Sequence, residues 1–516
     1  MLRSTKLRKL LIASGIAVLL IGVILSILFS RLSPLNRRWA VNALSRYYHS
    51  KVTLQSFHVT LFPRIEVSGG GLVLANKVRP GGAPLASVRR FSLQATWLGL
   101  LRRSRQVRHV RLEGLIINVP PRQKHRQNEP RKKQKHHLPP LYLEDVEANG
   151  AVLNISSNNP RHPPRVFVIS KLRLRSVGVG KAMSFQATLT NPKPIGQIQT
   201  SGEFGPWNPD HPNETPVFGK YVFRDADLST IRGIAGMLSS EGEFKGKLDR
   251  IEVDGTTDTP EFALGASGNS EPLKTRFHAI VDATTGQTLL QPVRARLGNS
   301  LIIARGGVYR QAHVQGTTVL LNVTTDRANL ADVLRLAVKG SEPPMTGAVS
   351  VRTRFEVAPG SENIEKRLKL DGTLTIQDAK FTDSSVQKKV THLSESGQGK
   401  PGKGDGEQVI SNFRGHFALS ASVMSFSSVW FHVPGASVHL HGTYGLESEN
   451  LNFLGELELQ ATLSHATTGI KSLLLRPLNP LFKGRHAGTV LPIKISGNRQ
   501  HPRFGLQYGK LWKRSR

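Results

Sequence analysis

GELELQATLS, Gly455 to Ser464, alternates without a break: Leu457, Leu459, Ala461 and Leu463 fall on one side of an extended chain, and Glu456, Glu458, Gln460 and Thr462 fall on the other. Successive side chains of a β-strand point to opposite faces, so this period of two marks a strand with one apolar face. Working outward, the pattern recurs in Phe417, Leu419, Ala421 and Val423, and in Val429, Phe431 and Val433. It recurs again in Val438 and Leu440, with His439 and His441 opposite. Toward the N-terminus it runs through Val52 to Val67, Leu72 and Leu74, Phe91 to Trp97, Leu115 to Val119, Leu141 to Ile155 and Val166 to Leu174. The chain is therefore expected to be mainly β.

Apolar strand faces need cover, because each Å² left in water forgoes about 25 cal/mol. Four short stretches have helical spacing: Pro34 to Tyr48, Leu228 to Leu238, Leu330 to Val338 and Thr467 to Leu475. They are too few to blanket the strands. Two arrangements are open: sheets that close on each other as sandwiches, or sheets that curl around a groove with apolar contents.

An internal echo organises the middle of the chain. Ala226-Asp227-Leu228 through Ala235 matches Ala328-Asn329-Leu330 through Ala337, with Asp or Asn at the N-cap position and a strand opening on Gly242 or Gly347 afterwards. Strands opening on glycine follow at Gly372, Gly415, Gly442 and Gly455. Gly69-Gly70-Gly71 predicts a turn or bulge, since no phosphate-loop spacing surrounds it.

Leu10 to Phe29, LLIASGIAVLLIGVILSILF, is uncharged over twenty residues. A helix of that length is roughly 30 Å long and matches a bilayer's hydrocarbon core. It reads as an uncleaved single-pass anchor, because no small-residue cleavage site follows in FSRLSPLNRR. Basic residues flank both ends (Arg3, Lys6, Arg8, Lys9; Arg31, Arg37, Arg38, Arg46), so charge alone does not orient it. Through Pro140 there are 26 Lys or Arg against 3 acids, of totals of 70 and 36, so the basic excess is concentrated near the membrane. Such a region is drawn to anionic headgroups. Within Pro34 to Tyr48, Arg37, Arg38, Trp39, Arg46 and Tyr47 are candidate membrane-interface residues; the alternative is a helix that caps the first sheet.

The basic charge does not point to nucleic acid: aromatic residues are 6% of the chain and no nucleic-acid motif is present. Cysteine is absent, which excludes disulfides and thiolate chemistry. No GxSxG, HExxH or paired acidic motif points to catalysis, and neither a cofactor nor a metal is expected. His125, His136 and His137 lie in a Pro-bounded basic run that reads as a disordered loop. His432, His439 and His441 read as solvent-face residues; Asp254 and Asp258 offer two carboxylates for a cation, but Gly255 and the following Thr pair also read as a turn.

The anchor, the juxtamembrane helix and three blocks together resemble the AsmA-like family of bacterial envelope proteins. The blocks are VTLQSFHVTLFPRIEV (52–67), DADLSTIRGIAGMLSSEGEFKGKLDRIEVDG (225–255) and FHVPGASVHLHGTYGL (431–446). The resemblance spans nearly the whole chain, departs from the family in the loops around Gln123 to His137 and Ser394 to Glu407, and rests on diffuse Gly-and-apolar patterns. It implies an inner-membrane anchor with the bulk of the chain in the periplasm. It also implies an elongated, curved antiparallel β-sheet with an apolar groove that accommodates lipid, and a part in phospholipid transport or outer-membrane assembly beside other envelope proteins. The competing expectation is a scaffold with closed β-domains.

The expected organisation is a basic tail (1–9), the span (10–29), a juxtamembrane helix with a first β unit (31–120), a basic loop (121–140), a central β-rich repeat region (141–345), a further β region (346–393), a flexible linker (394–407), a C-terminal β region (408–509) and a basic tail (510–516). The candidate lipid-facing residues are Phe417, Leu419, Val423, Val429, Phe431, Val433, Val438, Leu440, Leu457, Leu459 and Leu463.

Overall fold

The computed structural model describes residues 50–506 except 61–63, 76–82, 97–104, 120–140, 156–164, 179, 207–211, 266–267, 284, 310–315, 341, 361, 400–408 and 461–488, together with 37–38, 41–42 and 45. The chain is mainly β, with few helices among the described residues. It divides into two compact units, one formed by 1–227, 238–256 and 278–288, the other by 228–237, 257–277 and 289–516. Leu10 to Phe29 and the run containing His125, His136 and His137 lie outside the described residues. Among those described, no helix is long and apolar enough to cross a membrane.

The N-terminal unit begins with β1 (Val52–Thr53) and β2 (Ser56–Thr60), both paired to β3 (Ile65–Leu74). Gly71, at φ 65°, sits where β3 changes partner from β2 to β1, and the register to β4 continues unbroken past it, so the glycine triplet lies inside a strand and is neither a turn nor a bulge. Strands β4 (Ala86–Ala95), β5 (Arg105–Val119), β6 (Leu141–Ile155), β7 (Arg165–Gly178), β8 (Met183–Pro192), β9 (Ile195–Phe204) and β10 (Pro216–Asp227) follow, each paired to the next. Of these pairings only β5–β6 is parallel, so the antiparallel sheet expected from the sequence holds with this one exception. Parallel neighbours need a long connection, and β5 and β6 are separated in the chain by residues 120–140, which lie outside the described residues.

β5 and β6 carry a tandem echo: Val107, Val110, Leu112 and Gly114 are matched 36 residues later by Leu143, Val146, Ala148 and Gly150, and the parallel register sets the apolar members side by side. Their apolar side chains, with those of β3 and β4, form a core in which Val107 and Val110 are fully buried. Near the unit's start, Arg37 donates from Nε to the Leu54 carbonyl at 2.6 Å, and Val41 packs against this core. These contacts match the capping alternative for that helix.

On the other face the duplicated strands have complementary charge. Asp145 on β6 accepts from His109 of β5 at 3.0 Å and from Arg173 of β7 at 2.8 and 3.1 Å, with Glu147 beside them. Asn154 donates to Asn118 at 2.8 Å in the same ladder.

The C-terminal unit holds β11 (Ile234–Ala235) and the ends of β13 and β14; β12 (Met237–Lys247), β13 (Arg250–Leu264) and β14 (Ser270–Asp282) come between in the chain. After β15 (Gln287–Leu297) it continues as a meander of β16 (Ser300–Tyr309), β17 (Thr318–Asn329), β18 (Met345–Val357), β19 (Leu368–Phe381), β20 (Ser411–Ser420), β21 (Val423–Val433), β22 (Ala436–Gly445), β23 (Asn450–Leu459), β24 (Thr489–Asn498) and β25 (His501–Leu506). From β16 onward each strand is antiparallel to the next.

Helix α1 (Leu330–Ala337) follows β17 as expected, capped by Asn329, whose side chain accepts from the Ala331 amide. The matching stretch from Leu228 is not a helix. It is a 3₁₀ turn, Leu228–Thr230, followed by β11 and β12, because Gly233 and Gly236 (φ 98° and 120°) occupy the left-handed region that a helix cannot use.

A one-turn helix, α2 (Ile364–Arg367), precedes β19. The sequence reading did not anticipate α3 (Ser384–Gly397), and the linker expected from Ser394 is corrected there: Ser394, Ser396 and Gly397 are buried in its last turn. The predicted helix Thr467 to Leu475 lies outside the described residues.

Burial pushes the Asp145 carboxyl up, but Arg173 and His109 outweigh it and hold the group below the usual carboxylate range. A depressed carboxyl contributes stability above its unfolded value, about 3.9, and loses it as pH falls through the folded value. Asp145→Asn is therefore expected to lower the melting temperature at pH 7, and the gap from wild type should shrink below about pH 3.9, as thermal melts across pH will measure.

Candidate functional site: an apolar sheet face in the C-terminal unit

Cross-strand partners share a face, so the registers place the side chains of the C-terminal unit in rows. The first row runs Val349, Ile376, Phe413, Phe431, Val438, Leu457 and Leu491. A second runs Val351, Leu374, Gly415, Val429, Leu440, Gly455 and Ile493. A third runs Thr353, Gly372, Phe417, Phe426, Gly442, Phe453 and Ile495, and a fourth Phe355, Leu370, Leu419, Met424, Tyr444 and Leu451. The opposite face carries Arg352, Arg354, Asp371, Arg414, His416, Ser425, Thr443 and Asn452. The sequence alternation thus becomes one apolar and one polar face.

The two helices cover the first row. α1 sets Leu330, Val333 and Leu334 against Val349 and Ile376. α3 lays Val390 and Leu393 on Phe431, Val433, Val438, Leu457 and Leu459, which are 0 to 8% exposed. Asp383 caps α3 by accepting from the Ser385 and Val386 amides, and Ser394 Oγ donates to the Pro434 carbonyl at 2.7 Å. The hydroxyl of Ser385 and the two amides hold the Asp383 carboxyl below its ordinary range.

Away from the helices the face changes. Phe355, Leu370, Met424, Phe426, Leu451, Phe453 and Ile495 are only half-buried. Glycines keep this part smooth. A Cβ at Gly442 would meet the Phe453 ring at 2.9 Å, and Phe426 and Phe453 come together from either side of it, 5.6 Å between centroids. A Cβ at Gly455 would likewise meet Leu440 at 2.8 Å.

Several of the sequence-derived lipid-facing residues move. Phe431, Val433, Val438, Leu457 and Leu459 belong to the closed core under α3, the helix the sequence reading lacked. Phe417 and Leu419 are on the apolar face but buried, whereas Val429 and Leu440 are there and half-buried. Val423 is on the polar face and exposed. The alternation through Val423 fails because Ala421 and Ser422 form a tight hairpin turn with φ of 50° and 62°, so β21 restarts in the other phase. A bulge between Phe426 and Val429 then restores the phase of Phe431. Met424 and Phe426 were missed for the same reason, whereas Phe453 is in phase with Leu457 and Leu459 and was missed because the alternation was begun only at Gly455. Leu463, and Trp39, Arg46 and Tyr47 of the interface set, lie outside the described residues; Arg37 is tied to the first sheet and Arg38 is in the same helical segment.

His432 and His441 are exposed on the polar face as expected, and half-buried His439 stacks on Trp430 at 4.4 Å. His416 bridges Asp371 and Ser427 at 3.3 and 3.2 Å on the exposed polar face. Asp254 and Asp258 are each paired, with His278 at 2.8 Å and Lys274 at 3.2 Å. His109, Asp145 and Glu147 converge closely enough to hold a metal, yet the Arg173 guanidinium already takes both oxygens of Asp145, so the cluster reads as an ion-pair network. No family model, curated protein or solved structure matches this chain.

Proposed function

We propose that this chain is a non-enzymatic, membrane-anchored envelope protein of the AsmA-like kind. In this reading it lies in the periplasm, takes lipid acyl chains into a groove floored by the third and fourth rows of the apolar face, and assists phospholipid transport or outer-membrane biogenesis. The observation that carries the reading is the change along the face, from side chains sealed beneath α1 and α3 to half-buried Phe355, Leu370, Met424, Phe426 and Phe453. An acyl chain laid on these groups removes water from both surfaces and gains about 0.8 kcal/mol per buried CH₂. Headgroups stay in water, and the basic membrane-proximal region supplies anionic lipid. The glycines favour a smooth floor over individual side-chain pockets, which suits a ligand recognised by its apolar length.

The second reading is a scaffold with closed domains, and the sealed core of the N-terminal unit favours it. The two readings separate on one variant pair. Purified from Arg31 onward, the protein should carry co-purified phospholipid and take up a fluorescent analogue. Phe426→Asp/Phe453→Asp should cut that uptake about tenfold while leaving far-UV circular dichroism unchanged, because both rings are half-buried. Loss of folding in this pair, or a wild-type protein free of lipid that takes up none, would establish the scaffold. For the orientation, alkaline phosphatase fused after Arg516 is expected to be active; an inactive fusion beside an active cytoplasmic reporter at the same point would reverse the assignment.

A further inference from the structure

The polar face of the N-terminal unit has its own chemistry. Registers from β6 to β10 set Glu147, Arg173, Gln186, Ser201 and Lys220 in one row, and Asn149, Lys171, Thr188, Gln199 and Val222 in the next. A shallow depression of roughly 630 Å³ lies along these two rows. Two of its cations are committed, Arg173 to Asp145 and Lys220 to Glu243 at 2.8 Å. The side chains of Asn149, Lys171, Gln186, Thr188, Gln199 and Ser201 form no hydrogen bond or ion pair with another described residue. Phe218 stands on the same face two residues from Lys220 and is 51% exposed.

These groups restrict the ligand. Amides and hydroxyls both donate and accept, so a row of them suits closely spaced groups that do the same. A nucleic-acid backbone calls for several uncommitted cations, and this depression has one, Lys171. An acyl chain would strand the amides without partners. A sugar chain fits: its hydroxyls match the amides and hydroxyls, one C–H face suits an exposed ring, and a single acidic substituent suits Lys171. Five strands at about 4.8 Å spacing give a track of roughly 19 Å, long enough for several sugar units.

We propose that the trough across β6 to β10 binds an oligosaccharide, with Phe218 against a sugar face and Lys171 against a phosphate or carboxylate substituent. The sugar is either a free glycan or the head of a glycolipid. The test uses the full chain in nanodiscs, titrated with the phosphorylated core oligosaccharide released from lipopolysaccharide, with its dephosphorylated form, and with intact lipopolysaccharide. The released oligosaccharide is expected to bind, and Gln186→Ala/Gln199→Ala and Phe218→Ala should each weaken it about tenfold. Lys171→Ala should weaken the phosphorylated form only, and all three variants should leave phospholipid uptake unchanged. Equal affinity for released and intact forms would make the sugar alone sufficient, and tighter binding of the intact form that the variants still weaken would assign the site to a glycolipid head; both support the proposal. No binding of the released oligosaccharide, or binding that the variants do not alter, would overturn it.

Discussion

Parity governs the C-terminal unit. In an antiparallel meander each residue shares a face with its cross-strand partner, and a slip of one position in any strand moves its apolar set to the wrong side. The chain keeps parity through devices that look like irregularities. The bulge at Phe426 and Val429 absorbs a phase change, and left-handed residues at Arg327 and Asp378 do the same beside buried Ala328 and Ala379. Asp225 and Ala226 repeat the arrangement in the N-terminal unit. After the bulges at Arg327 and Asp378 the chain leaves the sheet for α1 and α3, so there one local device both preserves the face and delivers its cover.

The two units use their apolar residues differently. Around β3 to β6 of the N-terminal unit, aliphatic side chains are sealed, and the duplicated parallel strands add an ion-pair ladder on the outside. In the C-terminal unit the sealed region is confined to the row under α1 and α3, while the rows beyond it keep Phe and Leu side chains half in water. A sheet held by backbone ladders tolerates that exposure. Such a face gains free energy from any apolar chain laid on it.

Much of this was legible in the sequence. The alternation in GELELQATLS identified β23 and its apolar side, Asn329 announced α1, and His432 and His441 fell on the face expected for them. What failed were places where a local rule is overridden. The hairpin at Ala421 and Ser422 lacks glycine and asparagine, so the alternation was carried one strand too far. α3 hid in a Ser-rich stretch, although Asp383 with Val386, Val390 and Leu393 beyond it has the spacing of a capped amphipathic helix. The parallel β5–β6 pair had its signal in the 36-residue echo from Val107 to Leu143, two copies separated by a stretch too long for a hairpin turn.

The proposed groove requires one face that meets acyl chains and, one residue apart along the same strand, an opposite face that does not. A photoreactive benzoylphenylalanine placed at Phe453, in cells labelled with radioactive phosphate, should cross-link to phospholipid after illumination. The same residue at Leu454, which points to the polar face, should not. Equal labelling at both positions, or none at Phe453, would contradict it.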